Sequence, residues 1–448
     1  MITIPILANF LSIDVKDIKE INVVEQNEEQ IIVITPVPKD SACPNQECEC
    51  DKTYFKGYRN RKIMHSLFLN KPTTFIYKVR MNKCLRCGKT FSEANFFAPK
   101  NSRVSYETIR IVLEAARNYN STWKEISEKA HISDTTAINI FDRYVNIPRG
   151  MIPRIMCIDE CYNKHQFSKP YSCILFDFES SKIVDVIEDR SKHHLSSYFN
   201  KIKKEERENV QYIIIDMWEP YLDLAQVFFP KAIVAIDSFH VMKEIGFALD
   251  KVRRRVMHKY QNGTKEYYLL KHWNRTLFFE QKIYEEKHKI RGYDNKYLNR
   301  YQIQELILAL DSELKAAQDF YIRYKNMNKL TKYEDVEKRI DDFINDKIVI
   351  NIPEFISVLQ MLQNWKTWIV NSFIVVDGRR ISNGPIEGFN SNFKKMITVA
   401  NGLYSFSRFR NRLMYCYNKP NCLSPVKTKI AKKSRGKRGK YKKKPVNQ

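Results

Sequence analysis

The 448-residue chain has no run of about 18 apolar residues, the length a helix needs to cross a bilayer. Its opening, Met1-Ile-Thr-Ile-Pro-Ile-Leu-Ala-Asn-Phe-Leu, lacks the basic n-region of a secretory signal. Neither a membrane partner nor export is expected, and the ten cysteines read as intracellular thiols or metal ligands, not a disulfide framework. Acid is also scarce: 51 Asp plus Glu stand against 76 Lys plus Arg, giving a formal net charge of +25 and a pI near 9.5. That imbalance is the electrostatic footprint of a polyanion binder. Hydrophobic residues at 43% and aromatics at 12% can build several cores.

Against this basic background three carboxylates stand out. Asp159 closes the apolar run Arg154-Ile-Met-Cys-Ile, Asp216 closes Tyr212-Ile-Ile-Ile, and Glu387 opens a helix-like segment much later. Acids at the exits of short β-branched strands can meet at one sheet edge, where hard divalent cations find oxygen ligands. The element order supports such a meeting. Strands are expected at 154–158, 171–176 and 182–187, a helix at 192–204, a strand at 211–215, a helix at 221–228 and a strand at 232–236. A three-strand meander followed by alternating helix and strand is the order of a ribonuclease-H-like α/β sheet. If its first strand pairs with its fourth, Asp159 and Asp216 lie side by side. Glu160, Asp177, Asp185 and Asp189 read as turn or surface acids, and Glu219 as a possible outer support.

Residues 1–40 read as a leader attached to the next module. Within 41–98, Cys43, Cys48 and Cys50 precede, and Cys84 and Cys87 follow, an alternating stretch that reads as a hairpin. Zinc takes four soft ligands in a tetrahedron, so a zinc ribbon is expected from Cys43, Cys84, Cys87 and either Cys48 or Cys50. Residues 101–146 carry three helical patterns. The last two are joined by His131-Ile-Ser, with Ser133 as N-cap, which matches a helix-turn-helix that exposes Thr135, Thr136, Asn139 and Arg143 to DNA.

The catalytic core is expected to run over 151–249, interrupted by an all-α insertion at 250–370 and completed at 371–418. Just past the fifth strand, Asp237 and His240 at i, i+3 can share a helical face near Asp216. Pro385 suits a first helical turn and puts Glu387 near the positive helix end. Asn390, Asn392, Lys394 and Lys395 then suit DNA-backbone contacts. Residues 420–448 read as a disordered basic tail that attracts phosphates without regard to sequence.

The closing zinc knuckle Cys87-Gly-Lys-Thr-Phe-Ser-Glu, Cys157-Ile-Asp159-Glu160, Ile215-Asp216-Met, Ala235-Ile-Asp237-Ser-Phe-His240-Val-Met-Lys and Ser382-Asn-Gly-Pro-Ile-Glu387-Gly-Phe-Asn390 appear in that order. Together they resemble the DDE transposases of the ISL-three group of bacterial insertion sequences. The resemblance implies a ribonuclease-H-like fold and cytoplasmic action on double-stranded DNA, both element ends and target. It implies a metal triad of Asp159, Asp216 and Glu387 holding two Mg²⁺ or Mn²⁺ ions, an accessory pair Asp237 and His240, and a two-metal cleavage and joining reaction. A homo-oligomer on paired terminal inverted repeats is expected. Two other readings stay open: a transposase-derived DNA-binding regulator without catalysis, and a structure-selective nuclease of the same fold.

Overall fold

A computed structural model of the chain describes residues 14–420 apart from 27–28, 39–41, 46, 49, 51, 69–70, 94–96, 100–101, 164–166, 281–285, 295 and 400–404. The basic tail from residue 421 onward lies outside the described residues. The chain divides into two compact units, residues 1–147 with 419–448 and residues 148–418.

The first unit begins with a five-stranded sheet. Strands β1 (Ile18–Gln26), β2 (Glu29–Pro36), β3 (Thr53–Phe68) and β4 (Lys71–Cys84) lie in the order β1-β2-β4-β3, and β5 (Thr90–Ser92) pairs with β4. The expected leader is therefore part of the sheet: β2 runs parallel to β4 from Gln30 opposite Thr73 to Ile34 opposite Tyr77. The expected hairpin is longer than its alternating core suggested, since 73–80 is one stretch of β4 with β3 antiparallel beside it. Ile32, Ile34, Ile63, Phe75, Tyr77 and Phe97 fill its core. Three helices follow: α1 (Tyr106–Ala115), α2 (Trp123–Ala130) and α3 (Asp134–Tyr144). Thr122 and Glu125 form a capping box on α2, His131 ends it in the left-handed region at φ 52°, and Ser133 caps α3. That is the two-helix turn read from the sequence, closed over Ile126, Ala130, Ala137 and Phe141.

In the second unit β6 (Ile155–Tyr162), β7 (Tyr171–Asp177) and β8 (Lys182–Ile187) form an antiparallel meander. Then come α4 (Lys192–Asn200), α5 (Lys204–Glu208), β9 (Tyr212–Ile215), α6 (Glu219–Phe228) and β10 (Ile233–Ile236). The single helix expected over 192–204 is thus two. Spatial order is β10-β9-β6-β7-β8, with β6, β9 and β10 parallel. Runs such as Ile-Met-Cys-Ile in β6 and Ile-Ile-Ile in β9 are buried throughout, as strands covered on both faces must be. Two sequence expectations need correction. Asp159 does not end its strand, because β6 continues to Tyr162 in register with β7. Asp185 is not a surface acid: it is 5% exposed, accepts hydrogen bonds from Tyr198 Oη at 2.7 Å and Arg410 Nε at 2.5 Å, and belongs to the core. By contrast Asp177 behaves as a turn residue, accepting from Glu179 N at 3.0 Å.

The long helix α7 (Ser238–Met257) leads into the insertion, which contains α8 (Lys265–His272), α9 (Arg300–Leu308), α10 (Ser312–Leu330), α11 (Tyr333–Ile344) and α12 (Pro353–Asn371). It is helical except for a short hairpin, β11 (Lys287–Lys289) with β12 (Tyr297–Asn299). A second hairpin, β13 (Val375–Val376) and β14 (Arg379–Arg380), turns at Asp377-Gly378 with both φ values positive, 51° and 76°. Arg380 fastens it, donating to Ser372 O at 2.7 Å and Asn328 O at 2.6 Å and stacking 3.7 Å from the Phe373 ring centroid. Helices α13 (Gly384–Val399) and α14 (Phe406–Asn418) then complete the unit.

Candidate active site and metal centre

The register of the parallel strands sets the site. Ile155 lies opposite Tyr212 and Cys157 opposite Ile214, so two residues further on Asp159 comes level with Asp216. Ile236 lies opposite Ile215, and the Asp237 N–H donates to Ile215 O at 2.9 Å, so a third aspartate follows the neighbouring strand. The three acids share the carboxyl-end edge of parallel strands, where open α/β sheets hold ligands. Asp159 is 7% and Asp237 3% exposed.

Side chains from α7 and α13 close around them. His240 Nδ1 lies 3.2 Å from Asp216 Oδ1 and 3.5 Å from Asp237 Oδ2. These contacts lack hydrogen-bond alignment, which leaves Asp237 Oδ2 and His240 Nδ1 buried without a hydrogen-bond partner. Asn383 donates from its backbone to Asp237 Oδ1 at 3.3 Å and from Nδ2 to Asp216 Oδ1 at 3.4 Å. Asn390 Nδ2 donates to Asp159 Oδ2 at 2.6 Å, and the Glu160 N–H donates to Asp159 Oδ1 at 2.7 Å. Glu387 stands in the first turn of α13.

The acids raise one another's proton affinity. Burial lifts Asp159 above the usual carboxylate range, although the Glu160 N–H and Asn390 oppose it. Burial and then the Asp159 charge push Asp216 up to about 8. Burial also raises Glu387, with Asp237 and Asp159 adding to it, so all three acids share one field. Burial would lower His240, but Asp237 and Asp216 outweigh it and hold the ring above its ordinary value. An all-oxygen donor set whose members repel one another suits a hard divalent cation. Beside Asp216 and His240 opens a cleft of about 510 Å³, walled by Trp218, Lys243, Lys251 and Trp365. Both tryptophans also pack against the core.

The structure redistributes several sequence assignments. Asn390, expected beside Asn392, Lys394 and Lys395 as a DNA-backbone contact, turns its Nδ2 inward to Asp159 Oδ2. Lys394 and Lys395 are exposed and Asn392 is half-buried. Glu219 is exposed at the start of α6 and touches none of the site acids. On α3, Thr135, Asn139 and Arg143 are exposed, while Thr136 is half-buried with its hydroxyl 2.8 Å from Ser133 Oγ. Asn383 escaped sequence reasoning because Asn-Gly reads as a turn. Arg190 also escaped: it pairs with Glu160 and lies 4.2 and 4.8 Å from the ring centroids of Tyr171 and Trp218 at the cleft wall.

In the first unit Cys43, Cys48, Cys84 and Cys87 bring their sulfurs within 4.8 Å of one another, a group that could hold a metal ion. Among the described residues no carboxylate group gathers that tightly. Cys50 is outside the cluster, its thiol turned to Lys52 O at 3.6 Å, which resolves the choice in favour of Cys48. Gly88 takes φ 68° to turn the chain after Cys87, a conformation that disfavours any side chain. Burial first, then the neighbouring thiols, pushes Cys48 up to about 12, whereas the Cys87 N–H lowers Cys84 to about 6.

Residues 156–413 match the family model of the ISL-three DDE transposases, described as a transposase. The chain belongs to this family: it is a transposase, with DNA as its partner. No curated protein matches it. None of its described helices is long and apolar enough to cross a membrane.

Proposed function

We propose that this transposase binds the terminal inverted repeats of its element and cuts and joins DNA at Asp159, Asp216 and Glu387, on a ribonuclease-H-like sheet. The observation that carries the reading is the pairing register that sets Asp159 level with Asp216, together with a Glu387 carboxyl held in the same field from α13. The strand order supports the fold assignment, matching the meander-then-alternation order of that class.

Mg²⁺ or Mn²⁺ ions held by the three carboxylates would supply Lewis acidity at the attacking and leaving oxygens of an in-line displacement at phosphorus. The protein's own part is positional. Asn390 fixes the Asp159 carboxylate, and Asn383 ties Asp216 and Asp237 to the start of α13. His240 lines the cleft, where a ring N–H can hold a phosphate oxygen. Lys394 and Lys395 extend positive charge along α13. Four thiols at mutual tetrahedral reach support zinc as the ion of the first unit, where it would be structural. Synapsis of two element ends supports a homo-oligomer on DNA.

The test is cleavage and joining of labelled end duplexes by Asp159→Ala, Asp216→Ala and Glu387→Ala proteins, each checked for folding by melting. Loss of product in all three with end binding retained is the expected result. Normal product from any folded variant removes that residue, normal product from all three removes the proposed site, and no product from the unaltered protein with end binding intact favours the regulator reading. Cutting without joining by the unaltered protein would favour the nuclease reading.

A further inference from the structure

Two parts of the first unit are candidates for holding DNA, and they differ in charge. Strands β3 and β4 carry eight Lys or Arg and no Asp or Glu. Helices α1, α2 and α3 carry six acids against four Lys or Arg, and α3 alone has two acids and one Arg. Duplex affinity at physiological salt comes mainly from cations that displace counterions from phosphates. With Arg103 and Arg117 of its connecting segments the module at 101–146 carries six Lys or Arg against those six acids, so it has no net charge and supplies little of that term.

The register shows which face of the hairpin is available. Ile63 opposite Phe75 and Arg61 opposite Tyr77 point to the core side. The alternate pairs, Lys62 opposite Ile76, Asn60 opposite Lys78 and Tyr58 opposite Arg80, therefore point outward. Tyr58 is 46% and Phe55 47% exposed, their rings 5.1 Å apart, with the Arg80 guanidinium 5.3 Å from the Phe55 centroid. Arg80 Nη1 pairs with Glu93 at 3.4 Å, whereas among the described residues Lys62 and Lys78 form no ion pair. β3 is the outer strand of its sheet, and lysines on outer strands commonly serve to repel unwanted pairing. Exposed aromatic rings do the opposite, and the two together on one face are the composition of a nucleic-acid surface.

We infer that the outward face of the β3–β4 hairpin, through Tyr58, Lys62 and Lys78, is the phosphate-anchoring surface for duplex DNA, while α3 adds sequence discrimination through uncharged side chains such as Asn139. The inference rests on the transposase reading only for the choice of duplex. Charge complementarity selects DNA over a second copy of this chain, which is itself strongly basic.

The experiment measures binding of full-length, zinc-loaded protein to an end duplex, a random duplex and single strands across a salt series without Mg²⁺. Replacing both lysines (Lys62→Ala with Lys78→Ala, and separately Lys62→Gln with Lys78→Gln) should weaken end and random duplex alike by about tenfold and lower the salt slope by about 2. Asn139→Ala should instead reduce the ratio of end to random affinity by about tenfold with the slope unchanged. An unchanged slope in both lysine pairs, at normal zinc content and melting, overturns the inference. So does tighter binding of single strands than of duplex, or a loss of self-association with duplex affinity intact. Because no cleavage is needed, a failed catalytic reading leaves this measurement standing, and an active enzyme with an unchanged slope sinks the hairpin surface alone.

Discussion

Four cysteines in the first unit stand beside a small core in which nine buried side chains carry the packing. In the second unit Asp159, Asp216 and Asp237 sit at the edge of a sheet whose core continues from β7 through α7 to α12. On the proposed zinc reading the thiol cluster organises its surroundings when metal is bound, because the local core is small for a hairpin and two knuckles. The acid cluster is organised already, by strands that would fold without it, and its members oppose one another. One site therefore contributes to folding and the other costs some stability.

The largest effect that could break this comparison is loss of the first unit on removing a thiol. Cys84→Ser or Cys87→Ser should unfold it, the stabilisation by structural zinc being on the order of 10 kcal/mol, and should abolish end binding while residues 148–418 keep their hydrogen-exchange protection. Full end binding by either variant in metal-free buffer would show that the thiols are ordinary core residues.

The acid cluster should respond in the opposite sense. Removing any triad acid should eliminate Mg²⁺-dependent cleavage, yet Asp216→Asn should melt at or above the unaltered protein's temperature. The sign follows from its raised proton affinity: a carboxyl whose folded pKa exceeds its unfolded one gains stability as it protonates. Without added Mg²⁺, the second unit should therefore be stabilised as pH falls from above about 8 toward the ordinary carboxylate range, and Asp216→Asn should flatten that slope. A drop in melting temperature on this substitution would mean that Asp216 is part of the scaffold. Asp177→Ala is the matched control: it should keep activity and lose only about 1 kcal/mol, from the turn contact with Glu179 N.

Asp185 sharpens the point within the same sheet. Its carboxylate is paired with Arg410, so Asp185→Ala should destabilise by about 3 kcal/mol in urea unfolding, because it removes a buried ion pair and the acceptor of the Tyr198 hydroxyl. A change below 1 kcal/mol would show that water replaces the carboxylate there. The mildest effect concerns Asn390. Asn390→Ala should slow cleavage about 10- to 100-fold with end binding unchanged, as expected for a group that orients a ligand. Weakened binding at normal cleavage rate would return it to the DNA-contact role suggested by its sequence neighbours.

Much of this architecture was legible from alternation and burial. The five strands of the second unit follow from short β-branched runs, and the adjacency of Asp159 to Asp216, expected if the first strand pairs with the fourth, comes with the pairing of β6 and β9. Cys48 could not be separated from Cys50 in sequence, since both spacings reach the knuckle; only the fold shows one thiol turned away. Asp159 looked like a strand end because apolar character stops there, but β6 continues through pairing with β7, which sequence polarity does not report. Asp185 failed for the converse reason: its partner Arg410 lies far along the chain, so nothing local marks it as buried. The β13–β14 hairpin did carry a signal, since Asp377-Gly378 is a favoured two-residue turn.

Arg380 clamps that hairpin to the ends of α10 and α12 directly before Asn383, Glu387 and Asn390. Chains emerge from the ribosome N-terminus first, and their domains fold in that order. The aspartates of the sheet are thus synthesised long before the segment that would bring the remaining carboxylate and both orienting amides. Any chain cut short within the insertion carries the sheet acids but neither Glu387 nor the residues that steady them. On the proposed mechanism an unfinished product cannot cut the genome that encodes it, and competence arrives only once the clamp has closed on a completed insertion.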